Sequence, residues 1–310
     1  MLRIGSNLTL ADYLNKRLYN SFKRHRFITS HQPNHVLKIS DPKYFLPEIE
    51  ALEAGPILKS GRTRPMMIRG VCLQDHSKGD FVVKLKGSAH MWESSSLFEI
   101  LGAFIARELD FYVPEPVVIN ISAEFVDTML FSHENYSIAT KSIGHNFGTS
   151  LQIGFQEVVR GQSLNQELIK QLQNLFAFDV FIGNPDRRID KPNFLTNGKE
   201  IMLYDHELAF SFTQLFSFAR NPNPWNILNG DMEWLSKHYC FDYLSGNSHD
   251  FSTFADHLSV LDDDFWNKAW TLIPDDWKNK NDHFNVIKEY ITKIVANRNH
   301  FANELNRVLL

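Results

Sequence analysis

The chain has 310 residues, of which 43% are hydrophobic and 22% are charged, and its formal net charge is −4 at pH 7. This composition is typical of a folded protein and excludes wholesale disorder, and two cysteines are too few for a disulfide framework. Apolar runs fall short of the roughly 18 residues that a membrane helix needs, and polar residues interrupt the N-terminus too early for a signal peptide, so we expect a cytoplasmic protein without a membrane span.

Charge is distributed unevenly along the chain. Residues 1–70 contain 12 basic against 5 acidic residues, whereas residues 231–282 contain 4 basic against 11 acidic ones. The densest basic stretch, residues 16–27, belongs to an amphipathic helix predicted over residues 8–25. A docked helix with a solvated basic face accounts for this stretch, so direct binding of nucleic acid is not predicted.

The first half of the chain is predicted to contain strands around one clear helix. Residues 28–62 are expected to be irregular, because four prolines interrupt them. The elements predicted after them are strands over 65–73 and 80–87 joined by a polar turn at 74–79, a helix over 94–109 behind a serine cap, and an extended segment over 113–122.

The second half changes in character from strands to helices. After a less regular stretch, residues 150–161 favour another apolar strand, and residues 163–183 favour a long helix opened by a capping box from Ser163 to Gln166. A polar loop and a compact hairpin follow, and from about residue 230 the pattern is helical throughout. The predicted class is α+β, with a β-rich N-terminal part and a helix-rich C-terminal part that meet near residues 157–162.

The hairpin is predicted from Asn197-Gly198, which lies between two apolar stretches. This dipeptide is a strong hairpin signal, because a two-residue turn favours positive φ at both positions. If these two residues form the turn, Thr196 pairs with Lys199 and the pairing continues outward in that register.

The residues at the open end of this hairpin suggest a chemistry. In the predicted register Asn193 and Asp205 return to the same end, within about 10 Å of each other, and Asp186 lies in the loop just before. Phosphoryl transfer needs a carboxylate near the acceptor hydroxyl and oxygen ligands that hold Mg²⁺ against the phosphates. An Asp, then an Asn opening a hairpin, then an Asp closing it can supply all three groups.

The upstream half offers the complementary charges. Lys84 and Lys86 share one face of the strand over 80–87, because side chains alternate along a strand. We prefer Lys84 as the phosphate-contacting lysine, since apolar neighbours on both sides indicate burial. Glu99, in an otherwise apolar stretch of the next helix, could pair with this lysine and fix its direction. Singly these are common surface residues, and their order along the chain is what indicates a nucleotide site.

The same segments resemble a known family. The stretches 82–87, 98–119, 184–195 and 204–210, with a weaker match at 273–277, are similar to those of bacterial HipA-like kinases and, more distantly, of phosphoinositide kinases. The resemblance spans roughly residues 55–300. It implies a bilobed protein-kinase-like fold that binds ATP with Mg²⁺, divided into an N-terminal extension (1–55), an N-lobe (56–158) and a C-lobe (159–310).

Carried over position by position, the resemblance implies a role for each site residue. Lys84 would contact the α- and β-phosphates, and Glu99 would orient it. Asp186 would act as the catalytic base, and Asn193 and Asp205 would hold Mg²⁺. The backbone of Gln156, Glu157 and Val158 would form the hinge that recognises the adenine edge, and the turn at 74–79 would lie over the phosphates.

Three features of the sequence depart from the family pattern or leave it open. Asp186 and Asn193 are seven residues apart, whereas the common kinase spacing is five, so either the excess loops out or Asp190 takes part. The turn at 74–79 has a single glycine and is therefore no glycine-rich loop. Arg187 could pair with a carboxylate or contact phosphate, and the sequence gives no basis for choosing.

The predicted function is ATP- and Mg²⁺-dependent phosphorylation of Ser or Thr in a protein, this chain included. Two alternatives stay open: a kinase of a small molecule or a phosphoinositide-type lipid, and a non-catalytic nucleotide-binding module. The expected partners are ATP, an unidentified protein or small-molecule acceptor and, from the resemblance, an antitoxin-like protein.

Overall fold

The protein is described by a computed structural model that covers residues 37–58, 62–131, 134–158, 164–278 and 282–310. The helix predicted over residues 8–25, with its basic stretch, lies outside these residues, and so does Ser163. The described chain combines strands and helices, which confirms the predicted α+β class.

The strands of the described chain form two sheets. They are β1 (Glu48–Ile57), β2 (Met66–Cys72), β3 (Lys78–Lys84), β4 (Pro116–Ile121), β5 (Gly144–Ser150), β6 (Gln156–Glu157), β7 (Phe194–Thr196) and β8 (Ile201–Leu203). Strands β1 to β5 close into a barrel in the order β1-β2-β3-β5-β4, and parallel pairing of β4 with β1 completes the ring. Strands β6, β7 and β8 form a separate antiparallel sheet in that order.

The helices are concentrated in the C-terminal half. They are α1 (Ser95–Glu108), α2 (Ala123–Thr128), α3 (Tyr136–Thr140), α4 (Gln166–Ile182), α5 (Met232–Leu235), α6 (Phe241–Leu244), α7 (Ser252–His257), α8 (Asp263–Leu272), α9 (His283–Ala296) and α10 (Arg298–Leu309). Within the covered ranges, no helix has the length and apolar character needed to span a membrane.

Alternate residues of the barrel strands point inward, and the side chains at these inward positions are apolar. Ile49, Ile68, Val83 and Ile119 are each at most 2% exposed and belong to one buried cluster. Lys84 follows Val83 in β3 and therefore projects from the other side of the strand. The alternation along β3 thus determines that this lysine lies outside the barrel interior.

Helix α1 is buried along its whole length. Its apolar side chains belong to the larger core of the protein, and a helix buried on all sides must find partners for its charged side chains inside the fold. Arg107 contacts Glu115, and Glu108 accepts hydrogen bonds from the backbone and hydroxyl groups of Ser40. The third charged residue, Glu99, is 1% exposed and belongs to the candidate site.

The larger core is formed mainly by α1, α4 and the C-terminal helices. Phe181 of α4 packs edge-on against Phe254 of α7, with the ring centroids 6.3 Å apart. Trp266 and Trp277 are buried in this core, whereas Trp270 is 41% exposed.

Several predicted boundaries in the β-rich part are wrong. Strand β1 lies inside the stretch expected to be irregular, and two register shifts in its pairing with β2 obscure its alternation in the sequence. Because β1 continues past residue 55, a domain boundary there would cut a strand of the barrel. Strand β5 ends at Ser150, where the predicted strand over 150–161 begins, and in the described part of that stretch after Ser150 the strand residues are those of β6.

Helix α4 starts three residues later than predicted. Its N-cap is Asn165, whose side-chain oxygen accepts from the backbone N–H of Leu168 at 2.8 Å. The capping box from Ser163 to Gln166 is therefore wrong, because the capping side chain belongs to a different residue. The helix ends at Gly183, which has a left-handed φ of 61° and lets the chain turn back toward the helix.

We predict that Gly148→Ala in β5 destabilises the barrel. An added Cβ would come within 2.2 Å of Ile119 Cδ1 and 2.8 Å of the Val82 backbone oxygen, so the backbone would have to move. Overpacking of this kind typically costs about 1–3 kcal/mol of unfolding free energy, which urea denaturation measures. Gly230→Ala is the matched control, because its added methyl meets no described atom within 4 Å. Equal stability of the two variants would contradict this packing.

Candidate active site

A cavity of about 270 Å³ opens where the barrel meets α1 and the β7–β8 hairpin. Lys84 and Phe147 line it from the barrel, Glu99 lines it from α1, and Asn193 and Asp205 line it from the hairpin. These residues are far apart in the sequence, and the fold brings them to one place.

Lys84 lies at the end of β3, and its ammonium group is shared by three carboxylates. Its Nζ contacts Glu99 Oε1 and Asp205 Oδ1, and it lies 3.4 Å from Glu207 Oε2. The pairing expected between Lys84 and Glu99 is therefore present, and Asp205 joins it. Lys86 lies beyond the end of β3, which supports the choice of Lys84.

The charges in this cluster shift one another's pKa. Burial raises the pKa of Glu99 to about 7, against the opposing charge of Lys84, and burial also raises the pKa of Glu207. Burial alone would raise the pKa of Asp205 as well, but the charges of Lys84 and Lys191 outweigh it and lower that pKa. Burial alone would lower the pKa of Lys84, but Asp205 and Glu99 outweigh it and raise the pKa well above its usual value. Lys84 and Asp205 are therefore both charged at neutral pH.

The backbone around Asp205 holds the cluster in place. Asp205 has a left-handed φ of 66°, and the next residue, His206, donates its backbone N–H to Glu99 Oε2 at 2.9 Å. Gly102 lies one turn after Glu99 on α1, and a Cβ there would come within 2.5 Å of His206 Cβ. The missing side chain at Gly102 therefore allows α1 to approach this backbone closely.

The hairpin forms where it was predicted, but its register differs by two residues. Thr196 pairs with Ile201 instead of Lys199. The loop contains four residues, of which Gly198 has a positive φ of 88°, and the Asn197 side chain accepts hydrogen bonds from two backbone N–H groups of the loop. The prediction of a two-residue turn with positive φ at both positions is therefore wrong. The side-chain bonds of Asn197 stabilise a longer loop instead.

The corrected register still returns the predicted ligands to the same end. Tyr204 donates its backbone N–H to the Asn193 backbone oxygen at 3.4 Å, and Asp205 is the next residue. Asn193 Nδ2 donates to Asp186 Oδ2 at 3.1 Å, so Asp186 is directly connected to this end of the hairpin. The structure thus brings Asp186, Asn193 and Asp205 together.

The seven-residue spacing between Asp186 and Asn193 is absorbed by a tight turn. Arg188 and Lys191 exchange two backbone hydrogen bonds of 3.0 Å, so the two residues between them protrude. One of these is Asp190, whose carboxylate is 74% exposed and pairs with Arg188. The turn shows that the two extra residues loop out, and Asp190, one of them, still lines the candidate cavity.

Lys191 is a site residue that the sequence did not single out. Its Nζ lies 2.5 Å from Asp186 Oδ2 and 3.1 Å from Asp205 Oδ2, so it bridges the two carboxylates. Burial alone would lower its pKa, but Asp205 and Asp186 outweigh it and raise the pKa. The only signal was its place two residues before Asn193, among several other charged residues. Glu207 was also missed, because nothing in the sequence distinguishes it from other charged residues.

The turn predicted to cover the phosphates lies at the wrong end of the barrel. Antiparallel pairing of β2 with β3 places residues 74–79 at the opposite end of β3 from Lys84, on the order of 20 Å away. The connection between β1 and β2 instead contributes Leu58, Thr63 and Pro65 to the cavity wall. The error followed from missing β1, because its connection to β2 was then unrecognised.

The three residues expected to form a hinge differ in position. Gln156 and Glu157 form β6 and pair with β7, and of the three only Glu157 lines the cavity. Val158 is 8% exposed and packs in the larger core. The structure therefore brings one of the three predicted hinge residues to the cavity.

Arg187 pairs with a carboxylate. Its guanidinium group is fully buried, and its Nε lies 2.5 Å from Asp179 Oδ2 of α4. Its Nη1 donates to the backbone oxygens of Pro192 and Asn193. Arg187 thus supports the loop from the protein interior, and Asp179, the acidic residue in the apolar second half of α4, was not recognised from the sequence.

Comparison with known proteins identifies the family. Residues 57–221, just over half of the chain, match the sequence model of a family described as HipA-like kinase. The chain belongs to the HipA-like kinase family. This confirms the resemblance found in the sequence, and the matched region contains every residue of the cluster around Lys84. No curated protein matches this HipA-like kinase. Membership of a kinase family points to phosphotransferase chemistry.

We predict that Lys84→Met destabilises this HipA-like kinase. The substitution removes the cation that Glu99, Asp205 and Glu207 share and leaves their carboxylates without it. Breaking a buried ion pair by removing one partner costs about 3–5 kcal/mol, so urea denaturation in EDTA should show a large loss of stability.

Lys86→Met is the matched control for Lys84→Met. It makes the same substitution two residues later, outside β3, and should leave stability within about 0.5 kcal/mol of wild type. Added Mg²⁺ should restore part of the stability of Lys84→Met, because the carboxylates can then share a different cation. Similar losses in both variants would mean that the charge of Lys84 does not hold the cluster together.

Proposed function

We propose that this HipA-like kinase is an ATP- and Mg²⁺-dependent phosphotransferase with a bilobed, protein-kinase-like architecture. The observation that carries the proposal is the convergence of Lys84, Glu99, Asn193 and Asp205 on one cavity. Asp186 joins them through its contacts with Asn193 and Lys191. The barrel with α1 would form the N-lobe, ending at residue 158, and the remaining chain would form the C-lobe.

The two lysines of the site provide for the negative charge of a nucleotide. Lys84, held by Glu99, would contact the α- and β-phosphates, and Lys191 is a second cation beside the same cavity. Both ammonium groups now neutralise Asp205. Phosphate oxygens can accept from the same ammonium groups once a metal ion supplies positive charge to Asp205. Asp186, bonded to Lys191 and only 8% exposed, would serve as the base toward the acceptor hydroxyl.

The donor set fits Mg²⁺, which prefers oxygen ligands. Asp205 offers a carboxylate, and Asn193, whose amide nitrogen is bonded to Asp186, can offer its amide oxygen. Glu207 adds a third donor, because its carboxylate oxygen lies within 4.8 Å of those of Asp205 and Glu99. A bound Mg²⁺ would neutralise phosphate charge during transfer.

The remaining walls of the cavity suit an adenine ring. Val82, Ala103, Phe147 and Leu203 give it apolar surface, which is typical of sites for planar cofactor rings. The backbone of residues 156–158 would recognise the edge of the ring, with Glu157 at the cavity. Leu58, Thr63 and Pro65, described residues between β1 and β2, would contribute to the wall around the bound nucleotide.

The acceptor that we propose is a Ser or Thr hydroxyl of a protein, this chain included. A few residues after Glu207 the chain presents Phe216 and Phe218, which are 76% and 87% exposed and stacked with their centroids 5.6 Å apart. Exposed aromatic surface suits a protein chain better than an inositol phosphate, which would need cations. A small-molecule or phosphoinositide acceptor and a non-catalytic nucleotide-binding module are the alternatives, and an antitoxin-like partner stays a prediction.

We expect Mg-ATP to raise the melting temperature of the wild-type protein. Ligand at 100 times its Kd adds about 2.7 kcal/mol, a shift on the order of 5–10 °C for a protein of this size. The shift should shrink in EDTA and be lost in Asp205→Asn, which weakens the metal ligand, but persist in Asp264→Asn, whose side chain is exposed and lies outside the cavity. A wild type that responds to no nucleotide would refute the ATP site.

We expect Asp186→Asn to bind Mg-ATP but to transfer phosphate about 10²- to 10⁴-fold more slowly, because it lacks the base. Transfer of labelled γ-phosphate to the chain itself, to a protein panel and to phosphoinositide vesicles would measure this and identify the acceptor. Asp264→Asn, an exposed residue outside the cavity, is the control and should transfer at the wild-type rate. Label on lipid alone would make the protein a lipid kinase. Binding without transfer to any acceptor would make it a nucleotide-binding module.

A further inference from the structure

A second buried ionic cluster lies beneath the candidate active-site loop. Its centre is Asp179 on α4, which is fully buried next to Phe176, Phe178 and Phe181. An aspartate in such surroundings needs partners for both of its oxygen atoms, because an unpaired buried carboxylate is strongly unfavourable. These partners connect Asp179 to the loop that carries Asp186 and Asn193.

The carboxylate of Asp179 accepts hydrogen bonds from three side chains. Oδ1 accepts from Asn184 Nδ2 at 2.9 Å, and Oδ2 accepts from Arg187 Nε at 2.5 Å and from His238 Nε2 at 3.0 Å. The Asp179 backbone oxygen also accepts from the Asn184 backbone N–H at 2.8 Å. The turn at Gly183 brings Asn184 back into reach of the helix that it has just left.

Two of these partners continue directly into the candidate site. Asn184 Oδ1 accepts the backbone N–H of Asp186 at 3.2 Å. Arg187 Nη1 donates to the backbone oxygen of Asn193. One side chain, that of Asn184, therefore links the Asp179 carboxylate to the backbone of Asp186, the proposed base. Another, that of Arg187, links the same carboxylate to the backbone of Asn193, the proposed metal ligand.

The third partner ties the network to the C-terminal helices. His238 Nδ1 accepts the backbone N–H of Cys240 at 3.2 Å, so its Nε2 carries the proton that it donates to Asp179. With a neutral His238, the negative charge of Asp179 is balanced by Arg187 alone. Burial alone would raise the pKa of Asp179, but Arg187 and His238 outweigh it and keep that pKa below its usual value.

We propose that Asp179 is a positioning residue, which fixes the backbone at Asp186 and Asn193 through Asn184 and Arg187. This inference rests on the proposed function, in which those two residues are the base and a metal ligand. A buried ion pair is weak evidence for stability, since apolar residues of similar volume often serve as well. Directed hydrogen bonds to two separate points of one loop are something that apolar residues cannot provide.

The first test is Asp179→Asn, which keeps the side-chain volume and one carbonyl oxygen but removes the charge that holds Arg187. Groups that orient metal ligands typically contribute 10- to 100-fold to activity or metal affinity. We expect kcat to fall by that factor and the Mg²⁺ concentration for half-maximal transfer to rise, while ATP binding measured in EDTA stays at the wild-type level. Glu108→Gln is the matched control, because it neutralises another buried carboxylate, held by Ser40, and should leave all three quantities unchanged.

A second variant keeps the proposal testable if Asp179→Asn folds poorly. The pair Asp179→Leu with Arg187→Met removes both charges at once and leaves neither unpaired, so we expect it to stay folded. Its kcat should fall as in Asp179→Asn. A folded double variant with wild-type kcat and wild-type Mg²⁺ dependence would overturn the positioning role.

Hydrogen exchange separates this proposal from the proposed function. Amide exchange over residues 184–193 should be faster in Asp179→Asn than in Glu108→Gln, whether or not the protein transfers phosphate. An inactive wild type whose loop still loses protection in Asp179→Asn would refute the kinase proposal and keep the positioning role. An active wild type with unchanged loop exchange and unchanged kcat in Asp179→Asn would refute the positioning role alone.

Discussion

The ammonium group of Lys84, surrounded by the carboxylates of Glu99, Asp205 and Glu207, is the interaction on which the candidate site depends. It joins a strand of the barrel, a fully buried helix and the segment that follows the β7–β8 hairpin. None of these charges could be buried alone, since each would be left without a partner in a medium that solvates it poorly. The three elements are therefore held together at this point by ion pairs as well as by packing.

The two buried ionic clusters differ in charge balance, and the difference matches their depth. Around Lys84 three carboxylates share one lysine, and with Lys191 as a second cation the acidic groups outnumber the cations three to two beside an open cavity. Around Asp179 one carboxylate meets one guanidinium group in the closed interior. In the first cluster the carboxylates can bind a metal ion in place of a lysine, and the lysines can bind phosphate in place of a carboxylate. In the second cluster the two charges already balance each other. One cluster suits binding, and the other suits support.

The convergence of these residues could be predicted because weak signals follow one another in a characteristic order: a lysine between apolar strand residues, a glutamate in an apolar stretch of the next helix, and a hairpin marked by Asn197-Gly198. The part of the cavity wall between β1 and β2 could not be predicted, because register shifts break the alternation of β1 and conceal this strand in the sequence. The hairpin register failed because a side chain, that of Asn197, bonds to the loop backbone and lengthens the turn. Lys191 carries no local signal, since only tertiary contacts distinguish it from the charged residues around it. Asp179 has the same signal as Glu99, an acidic residue in an apolar stretch of a helix, and was overlooked because no neighbouring motif drew attention to it.

The spacing between Asp186 and Asn193 shows why counting residues was a poor guide to the geometry of the loop. Two extra residues protrude beyond a pair of backbone hydrogen bonds, so the chain returns to the same place as a shorter loop would. Two hydrogen bonds then determine the position of Asn193. Its side chain donates to Asp186, and its backbone oxygen accepts from Arg187. Because both constraints act at the base of the turn, the length of its tip is free to differ without moving either side chain. The geometry of the site is thus set by what anchors the loop and not by how many residues it contains.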